Sequence, residues 1–268
     1  MNKLLVKMSI LLFLLLVNQC IYAEEPQSRD IFLPQITAPS STQLSLPLVE
    51  APPGLPPVPE PYGRSQCHRK GFHCVVVPPG ANWFVMFPIS WQRNIVMRLN
   101  RTNVDIRYRT WLIVPDNWNH FDYLSAAPFP DHITAPGEPE IIVDLSRFAF
   151  ATYSALGYLV YWGPAAGGRK WCDETHSSCL TATGTFRIYR IQGADCMSTE
   201  FDQEDKLNAH GGAPMPYCMH FKNGWALHGS TVSGFVNRSH GCVRLFNEDA
   251  KWLNQQFVQI GTRVIVHY

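Results

Sequence analysis

The sequence has no surplus of charge of either sign. It contains 22 lysines and arginines against 21 aspartates and glutamates, and charged residues occupy 16% of its 268 positions. A chain that binds nucleic acid or anionic membranes through bulk charge needs a basic excess. The composition therefore predicts no nucleic-acid partner and no membrane partner. Aromatic residues make up 12% of the chain, which favours a β-rich globular protein over a disordered one.

Long hydrophobic runs are also scarce. The run that stands out, ILLFLLLV at positions 10–17, is too short to span a bilayer as a helix. It follows Lys3 and Lys7 and precedes the small residue Ala23, which is the order of a secretory signal peptide. We therefore predict that residues 1–23 are a signal peptide and that the mature protein is soluble and exported to the periplasm or cell envelope.

Spacings typical of metal ligands are missing as well. Neither Cys-x-x-Cys nor His-x-x-x-His occurs, so the sequence predicts no structural zinc site, and we expect no cofactor. The CGSCW signature of papain-like proteases is absent too. Five of the histidines outside the two His-Gly pairs are interpreted as surface side chains or as internally satisfied ones: His120, His132, His176, His210 and His220.

Proline is abundant in residues 24–66, with ten prolines between positions 24 and 63. Proline fixes φ and removes a backbone donor, which favours an extended chain of polyproline II type. We interpret this stretch as a semi-rigid linker rather than as a proline-rich ligand.

A small α+β module is predicted at residues 67–137. CVVV indicates a strand, IVMRLNRTN at 95–103 has helical spacing, and WLIVP at 111–115 indicates a closing strand. This order loosely resembles a LysM module, a βααβ fold that binds cell-wall glycans, and the LNR and LIVP segments match it best. The resemblance makes glycan strands an expected partner, although GAN at 80–82 replaces the usual GDT start.

Residues 138–268 have a β-rich pattern. Short aliphatic and aromatic runs between turn residues indicate strands at 140–146, 148–154, 158–163, 184–193 and 262–268. One helix is predicted at 247–257, where Asn247 would cap an acidic first turn. The predicted fold is thus mainly β: a β-sandwich domain with one helix, preceded by the small α+β module.

The cysteine count is odd after export. Loss of Cys20 with the signal peptide leaves seven cysteines, so one thiol is left over in an oxidising compartment. Six paired cysteines allow many connectivities, and we choose by proximity in sequence. The predicted disulfides are Cys67–Cys74, Cys172–Cys179 and Cys196–Cys218. If this pairing holds, the remaining thiol is Cys242.

The heptapeptide SHGCVRL places Cys242 in a reactive setting. Gly241 lets the backbone approach closely, Arg244 follows two residues later, and His228 and His240 are both candidates for contact with the thiol. A Cys–His pair is the minimal unit for covalent acyl transfer, because the imidazole takes the thiol proton and returns it to a leaving amine. Backbone N–H groups around Gly241 and Cys242 would hold the developing oxyanion.

Four segments in this part of the chain resemble the YkuD family of L,D-transpeptidases. They are TATGTFRI (181–188), GGAPMPYCMHF (211–221), ALHGS (226–230) and SHGCVRL (239–245). The family pattern is an upstream His-Gly, then [ST]-His-Gly-Cys followed by an aliphatic residue and Arg or Asn, with TPTGTF and MPY segments before them. The resemblance covers residues 138–268, and the four motifs occur in the family order.

The resemblance assigns roles to the motif residues by position. It implies that Cys242 is the nucleophile and that His228 is the general base. His240 would support the hydrogen-bond network of the pocket, and Gly241 would allow the turn that exposes the thiol. Arg244 would orient a substrate carboxylate or brace the loop.

Two departures from the family pattern are visible. Ala182 stands where the family has proline. Only ten residues separate His228 from Ser239, which fills the [ST] position and is expected to be structural. The loop that would cover the site is therefore short.

The function implied by the resemblance is that of a peptidoglycan L,D-transpeptidase. The enzyme would bind a tetrapeptide stem, attack the carbonyl of its third residue, a diamino acid, and release the terminal D-alanine. An amine from another stem or from a wall-attached protein would resolve the thioester, giving a 3→3 cross-link or an anchored protein. We expect a monomer that needs no metal. Two alternatives stay open: an L,D-carboxypeptidase that uses water as the acceptor, and a cell-wall binding protein without activity.

Overall fold

Strands dominate the part of the chain that the computed structural model describes, residues 62–202 and 212–268. The expectations for the signal peptide, for Cys20, for His210 and for the linker up to residue 61 lie outside the described residues. Within the described ranges, no helix combines the length and the apolar character needed to cross a bilayer.

The described ranges contain thirteen strands and three α-helices. The strands are β1 (Phe72–Val76), β2 (Trp111–Pro115), β3 (Glu140–Asp144), β4 (Ala149–Tyr153), β5 (Leu159–Ala166), β6 (Gly184–Arg187), β7 (Arg190–Ile191), β8 (Met197–Asp202), β9 (Gly212–Pro214), β10 (Met219–Lys222), β11 (Trp225–Gly229), β12 (Val243–Leu245) and β13 (Arg263–His267). The helices are α1 (Trp83–Met86), α2 (Ser90–Leu99) and α3 (Asn247–Trp252). Single 3-10 turns cover Arg64–His68, Ile106–Tyr108 and Leu124–Ala126.

The segment 67–137 has the predicted order of strand, helices and strand. β1 and β2 pair antiparallel, with Phe72 opposite Pro115, and α1 and α2 lie between them in sequence. The buried Asn100 side chain joins α2 to β2, because it donates to the Ile113 carbonyl and accepts from the Ile113 N–H, both at 2.8 Å. The identification of this segment as LysM-like, and its binding of glycan, stay predictions.

Nine strands of the described residues form one sheet, in the order β6-β13-β3-β4-β5-β12-β11-β10-β7. The sheet has two halves, and β5 belongs to both of them. It pairs with β4 along most of its length, while its last residues, Ala165 and Ala166, pair with β12. The sheet curls there, and the ring of Phe186 on β6 comes to 5.3 Å from the ring of Phe221 on β10. The two layers of the predicted sandwich are therefore two halves of one continuous sheet.

The core lies between these two halves. It is built from side chains of both, and Ile141, Val143, Leu227, Val243 and Val264 are fully buried. Burial of such a side chain contributes about 1.5–3 kcal/mol relative to its exposure. The core thus fixes β11 and β12, the two strands that flank the SHGC segment, as rigid neighbours.

Two local predictions are wrong in detail. The predicted strand at 184–193 is divided, because the N–H of Ile188 donates to Thr262 next to β13 whereas the N–H of Tyr189 donates to His220 on β10. The chain crosses from one half of the sheet to the other at that point. Helix α3 begins where predicted, but Phe246 rather than Asn247 occupies its N-cap position, and no side chain caps it. After Trp252 the helix widens into a π-helical turn, Leu253–Phe257.

The disulfide prediction is confirmed. The structure contains Cys67–Cys74, Cys172–Cys179 and Cys196–Cys218. Cys242 belongs to none of these bridges and is half-buried.

Helix α2 contacts the helix that follows the SHGC segment through a buried ion pair. Arg98 Nη2 lies 2.6 Å from Asp249 Oδ1 on α3, and both side chains are almost completely buried. The hydroxyl of Tyr161 donates to the same carboxylate oxygen at 2.6 Å. Segment 67–137 therefore packs against the β-rich part through specific polar contacts.

Candidate active site

Two parallel neighbouring strands position the main candidate residues. Leu227 on β11 is opposite Val243 on β12, and His228 is opposite Arg244. Cys242 and Ala226 come one residue before the first of these pairs, and Cys242 packs against the buried cluster to which Ala226 belongs. Because side chains alternate between faces along a strand, Cys242, Arg244, Ala226 and His228 are on one face of the sheet.

This face forms the floor of a cleft of about 830 Å³. The predicted residues Cys242, His228, His240, Arg244 and Ser239 all line it. Gly241 is buried and is not among the lining residues. Other lining residues come from several elements: Asn103, Arg190, Gln192, Met197, Met215, His220, Trp225, Thr231 and Asn247.

His228 is buried and has a defined tautomer. Its Nδ1 lies 2.9 Å from the carbonyl oxygen of Gly229, which can only accept a hydrogen bond. Nδ1 therefore carries the proton, and Nε2 presents a lone pair. Burial is the main cause that lowers the pKa of His228 to about 4; the hydrogen bond to Gly229 opposes this shift, and the charges of Arg244 and His220 add to it. The imidazole is thus neutral at neutral pH and ready to accept a proton.

The SHGC turn depends on its glycine. Gly241 has φ +117°, in the region that favours glycine, and a Cβ there would lie 2.7 Å from the ring of Trp225. Ser239 closes the turn, because its hydroxyl accepts from the Gly241 N–H at 3.1 Å and donates to the Cys242 carbonyl. The Gly241 N–H therefore donates to Ser239 in this structure. The expectation that backbone N–H groups around Gly241 and Cys242 hold an oxyanion stays a prediction.

His240 lines the cleft and contacts a disulfide-closed loop. Its Nε2 contacts the carboxylate of Glu174 and lies 2.6 Å from Arg169 Nη2. The pKa of Glu174 lies below its usual range, because its carboxylate accepts hydrogen bonds from the backbone N–H of Glu174 and from the side chain of His240. The Cys172–Cys179 bridge closes this loop, so the Cys172 sulfur beside Glu174 and His240 is not a thiolate that could bind a metal. The supporting role of His240 in the pocket stays a prediction.

Arg244 lies between His228 and the end of β5. It is opposite His228 on one side and opposite Ala166 on the other. Its half-buried side chain lines the cleft next to the imidazole. This position places a positive charge beside the candidate residues His228 and Cys242.

The interpretation of His220 as a surface or satisfied histidine is wrong. His220 is 4% exposed, it lines the cleft, and its Nδ1 has no hydrogen-bond partner among the described residues. Asn103 and Arg190 are further cleft residues that the sequence reasoning missed. The period-two pattern of CMHFK could have placed His220 on one face with Cys218, but only the strand pairing shows that this face is the cleft.

Asn103 joins segment 67–137 to the loop between His228 and Ser239. Its side-chain oxygen accepts from the Val232 N–H at 2.8 Å, and its amide donates to the Ser230 carbonyl at 3.1 Å. Its own N–H donates to the Val232 carbonyl at 3.1 Å. This short loop is therefore held by a residue that lies far away in sequence.

A family model described as YkuD, L,D-transpeptidase catalytic domain, matches residues 138–266. The solved structures to which the chain is similar include an L,D-transpeptidase from Xylanimonas cellulosilytica, at 22% identity and a TM-score of 0.45, with 60% of this chain and 73% of that one covered. An L,D-transpeptidase from Mycobacterium tuberculosis is similar at 21% identity and a TM-score of 0.37, with 60% and 73% covered. L,D-transpeptidase 3 from the same organism is 20% identical with a TM-score of 0.38, and 60% and 75% are covered. No curated protein matches the chain.

Proposed function

Because residues 138–266 belong to the YkuD family of L,D-transpeptidase catalytic domains, we propose that this protein is a peptidoglycan L,D-transpeptidase with Cys242 as its nucleophile. His228 supports this proposal most directly. It lines the same cleft as Cys242, and its Nδ1–H is committed to the Gly229 carbonyl, so Nε2 is the atom that can accept the thiol proton.

The first half of the reaction is acylation. Sγ of Cys242 attacks the carbonyl carbon of the third stem residue while His228 Nε2 takes the thiol proton. The carbon–nitrogen bond to the terminal D-alanine breaks, and the imidazolium returns the proton to that leaving amine. A thioester on Cys242 results. Because burial keeps the pKa of His228 near 4, the imidazolium gives up its proton readily.

The second half of the reaction regenerates the thiol. An acceptor amine attacks the thioester carbonyl, His228 takes one of its protons, and the same proton returns to the departing sulfur. The product is an amide, which is a 3→3 cross-link or an anchored protein. If water takes the place of the amine, the product is a tripeptide stem, and the enzyme is a carboxypeptidase.

Segment 67–137 has a supporting role in this proposal. Asn103 orders the loop after His228, and Arg98 joins α2 to α3. We infer that this segment, the linker at 24–66 and the catalytic domain at 138–268 form the exported chain after removal of residues 1–23. Binding of glycan strands by the segment, and export to the periplasm, are parts of the proposal that separate experiments must test.

The decisive experiment supplies the exported chain, with its disulfides intact, with a synthetic tetrapeptide stem and an amine acceptor. Mass spectrometry follows D-alanine release, tripeptide and cross-linked product. Cys242→Ala should release no D-alanine and form no adduct with a carbapenem, a β-lactam class that acylates enzymes of this kind by attack of the nucleophile. His228→Gln should lose about 10²–10⁴-fold in kcat. His132→Gln, at an exposed histidine outside the cleft, is the matched control and should keep full activity.

The products separate the alternatives. Tripeptide without cross-linked product, at saturating amine, would indicate a carboxypeptidase. Absence of D-alanine release from every donor would contradict an enzymatic role and leave the cell-wall binding protein. An adduct on Cys242→Ala would contradict the assignment of the nucleophile.

A further inference from the structure

Arg190 and His220 lie in line with Cys242 across neighbouring strands of the sheet. His220 on β10 is opposite Ala226 on β11, and Arg190 on β7 is opposite His220. Because Ala226 neighbours Cys242, the order across the sheet is Arg190, His220, Ala226, Cys242. Residues directly opposite one another on paired strands project to the same face. All four therefore project to the same face of the sheet, where Arg190, His220 and Cys242 line the cleft and Ala226 is fully buried.

His220 has an unsatisfied polar atom in this position. The residue is more than nine-tenths buried and lines the cleft, and its Nδ1 has no hydrogen-bond partner among the described residues. Buried polar side-chain atoms are normally paired, and one that is unpaired in a cleft points to a ligand atom. Tyr189 packs edge-on against the ring, with centroids 6.1 Å apart, and holds it in place.

The charge of the cleft indicates the chemistry of this ligand. Arg190 and Arg244 both line the cleft, and none of the described residues lining it is Asp or Glu. The Arg190 charge is close enough to His220 to lower the pKa of that imidazole further, after burial. An arginine beside an imidazole N–H donor is a suitable partner for a carboxylate.

Distance then selects which carboxylate of the donor stem can reach this pair. Neighbouring strands lie about 4.8 Å apart, so His220 is about 10 Å from Cys242 across the sheet. With the attacked carbonyl at Cys242, the carboxylate of the terminal D-alanine lies only about 3–4 Å further along the peptide. A diamino acid side chain that ends in a carboxylate extends about 6–7 Å, and a hydrogen bond adds about 2.8 Å. The side-chain carboxylate of the diamino acid therefore fits the distance between Cys242 and His220, and the carboxylate of the terminal D-alanine does not.

We propose that Arg190 and His220 form a subsite for the side-chain carboxylate of the third residue of the donor stem. The subsite rests on the transpeptidase function proposed above, and it makes the enzyme select a diamino dicarboxylic acid over a plain diamino acid. Arg190 supplies the charge and His220 supplies a neutral N–H. Neither residue takes part in the bond-making steps, so both are specificity-determining residues.

The test compares three tetrapeptide donors that differ at the third residue alone. One carries 2,6-diaminopimelate, one carries the same residue with its side-chain carboxylate amidated, and one carries lysine. The measured quantity is kcat/KM for D-alanine release by the exported chain. Wild type should prefer the free carboxylate about 10–100-fold, the range expected for a hydrogen bond to a charged group. In Arg190→Gln and His220→Gln this preference should fall to a few-fold.

Controls keep the outcome clear. Arg187→Gln alters an arginine on β6 that pairs with Glu138 outside the cleft, and it should retain the wild-type preference. His220 is buried and its variant could misfold, so the result for the variant of the exposed Arg190 is decisive. In each variant, the rate at which neutral iodoacetamide alkylates Cys242 shows whether the site is intact. Equal use of the three donors by wild type, or an equal loss on all three in Arg190→Gln, would overturn the subsite while leaving the transpeptidase proposal standing. Turnover of none of the donors by wild type would overturn both.

Discussion

Replacement of Arg98 by methionine tests whether segment 67–137 and the β-rich part that follows it fold as one unit. Arg98 is on α2 in segment 67–137, and its partner Asp249 is on α3 in the β-rich part. The side chains are 7% and 0% exposed. Methionine keeps most of the volume of the arginine side chain and removes its charge. The variant therefore leaves Asp249 buried without its cation.

The expected loss in the free energy of unfolding is large because Asp249 has few other partners. Burial raises the pKa of this carboxyl even with Arg98 present, and Oδ2 has no hydrogen-bond partner among the described residues. Tyr161 would remain as the donor to Oδ1. Removal of one partner of a buried ion pair costs about 3–5 kcal/mol. For a domain of this size, that corresponds to a decrease in Tm of roughly 6–20 °C.

The assay is urea unfolding of the non-reduced protein, followed by tryptophan fluorescence. Arg98→Met should lower the midpoint while the protein still unfolds in one transition, because Leu99 and Ile113 still share an apolar cluster with Tyr153 and Trp162. Arg98→Met combined with Asp249→Asn should lose less than the single variant, since no uncompensated charge remains. Arg107→Met, which breaks the exposed pair with Asp105, should leave the midpoint unchanged. A loss below about 1 kcal/mol, or two separate transitions, would refute the reasoning.

Three further predictions concern the site. The pKa of His228 is about 4 in the folded chain, whereas a histidine in an unfolded chain has a pKa of about 6.5. The unfolded chain therefore binds this proton first, and stability is lost as the pH falls from about 6.5 toward 4. Wild type should therefore lose about 2 kcal/mol more than His228→Gln between pH 7 and pH 5 in urea unfolding, and equal losses would contradict the burial of a neutral imidazole. Asn103→Ala should lower kcat/KM for D-alanine release about 10-fold and speed hydrogen exchange at the Val232 amide, because the loop after His228 loses two hydrogen bonds; unchanged exchange there would argue against a positioning role. Thiol titration of the denatured, non-reduced exported chain should find a single reactive cysteine, which peptide mapping places at Cys242, and a count of three would show that one bridge does not form.

The sequence alone determined the features that depend on short segments. The strands at 111–115 and 140–144 follow from their runs of β-branched and aliphatic residues. Two of the three disulfides join cysteines seven positions apart, a distance that one turn can close. The SHGC motif is also local, so Gly241 and Ser239 form their turn within four residues. In each case the interacting groups are close in the chain, and their pattern is visible without the fold.

Tertiary structure decided what depends on the pairing of distant segments. His220 looks like any histidine in a strand, and it is a cleft residue only because Arg190 and Ala226 lie on either side of it. Asn103 belongs to a different predicted module, and it reaches the loop between His228 and Ser239 only because α2 packs against α3. The strand predicted at 184–193 is divided because its two ends bond to different halves of a curled sheet. Strand order and sheet curvature are set by the packing of the whole core, and hydrophobic periodicity records which side of a strand is buried but not which strand lies beside it.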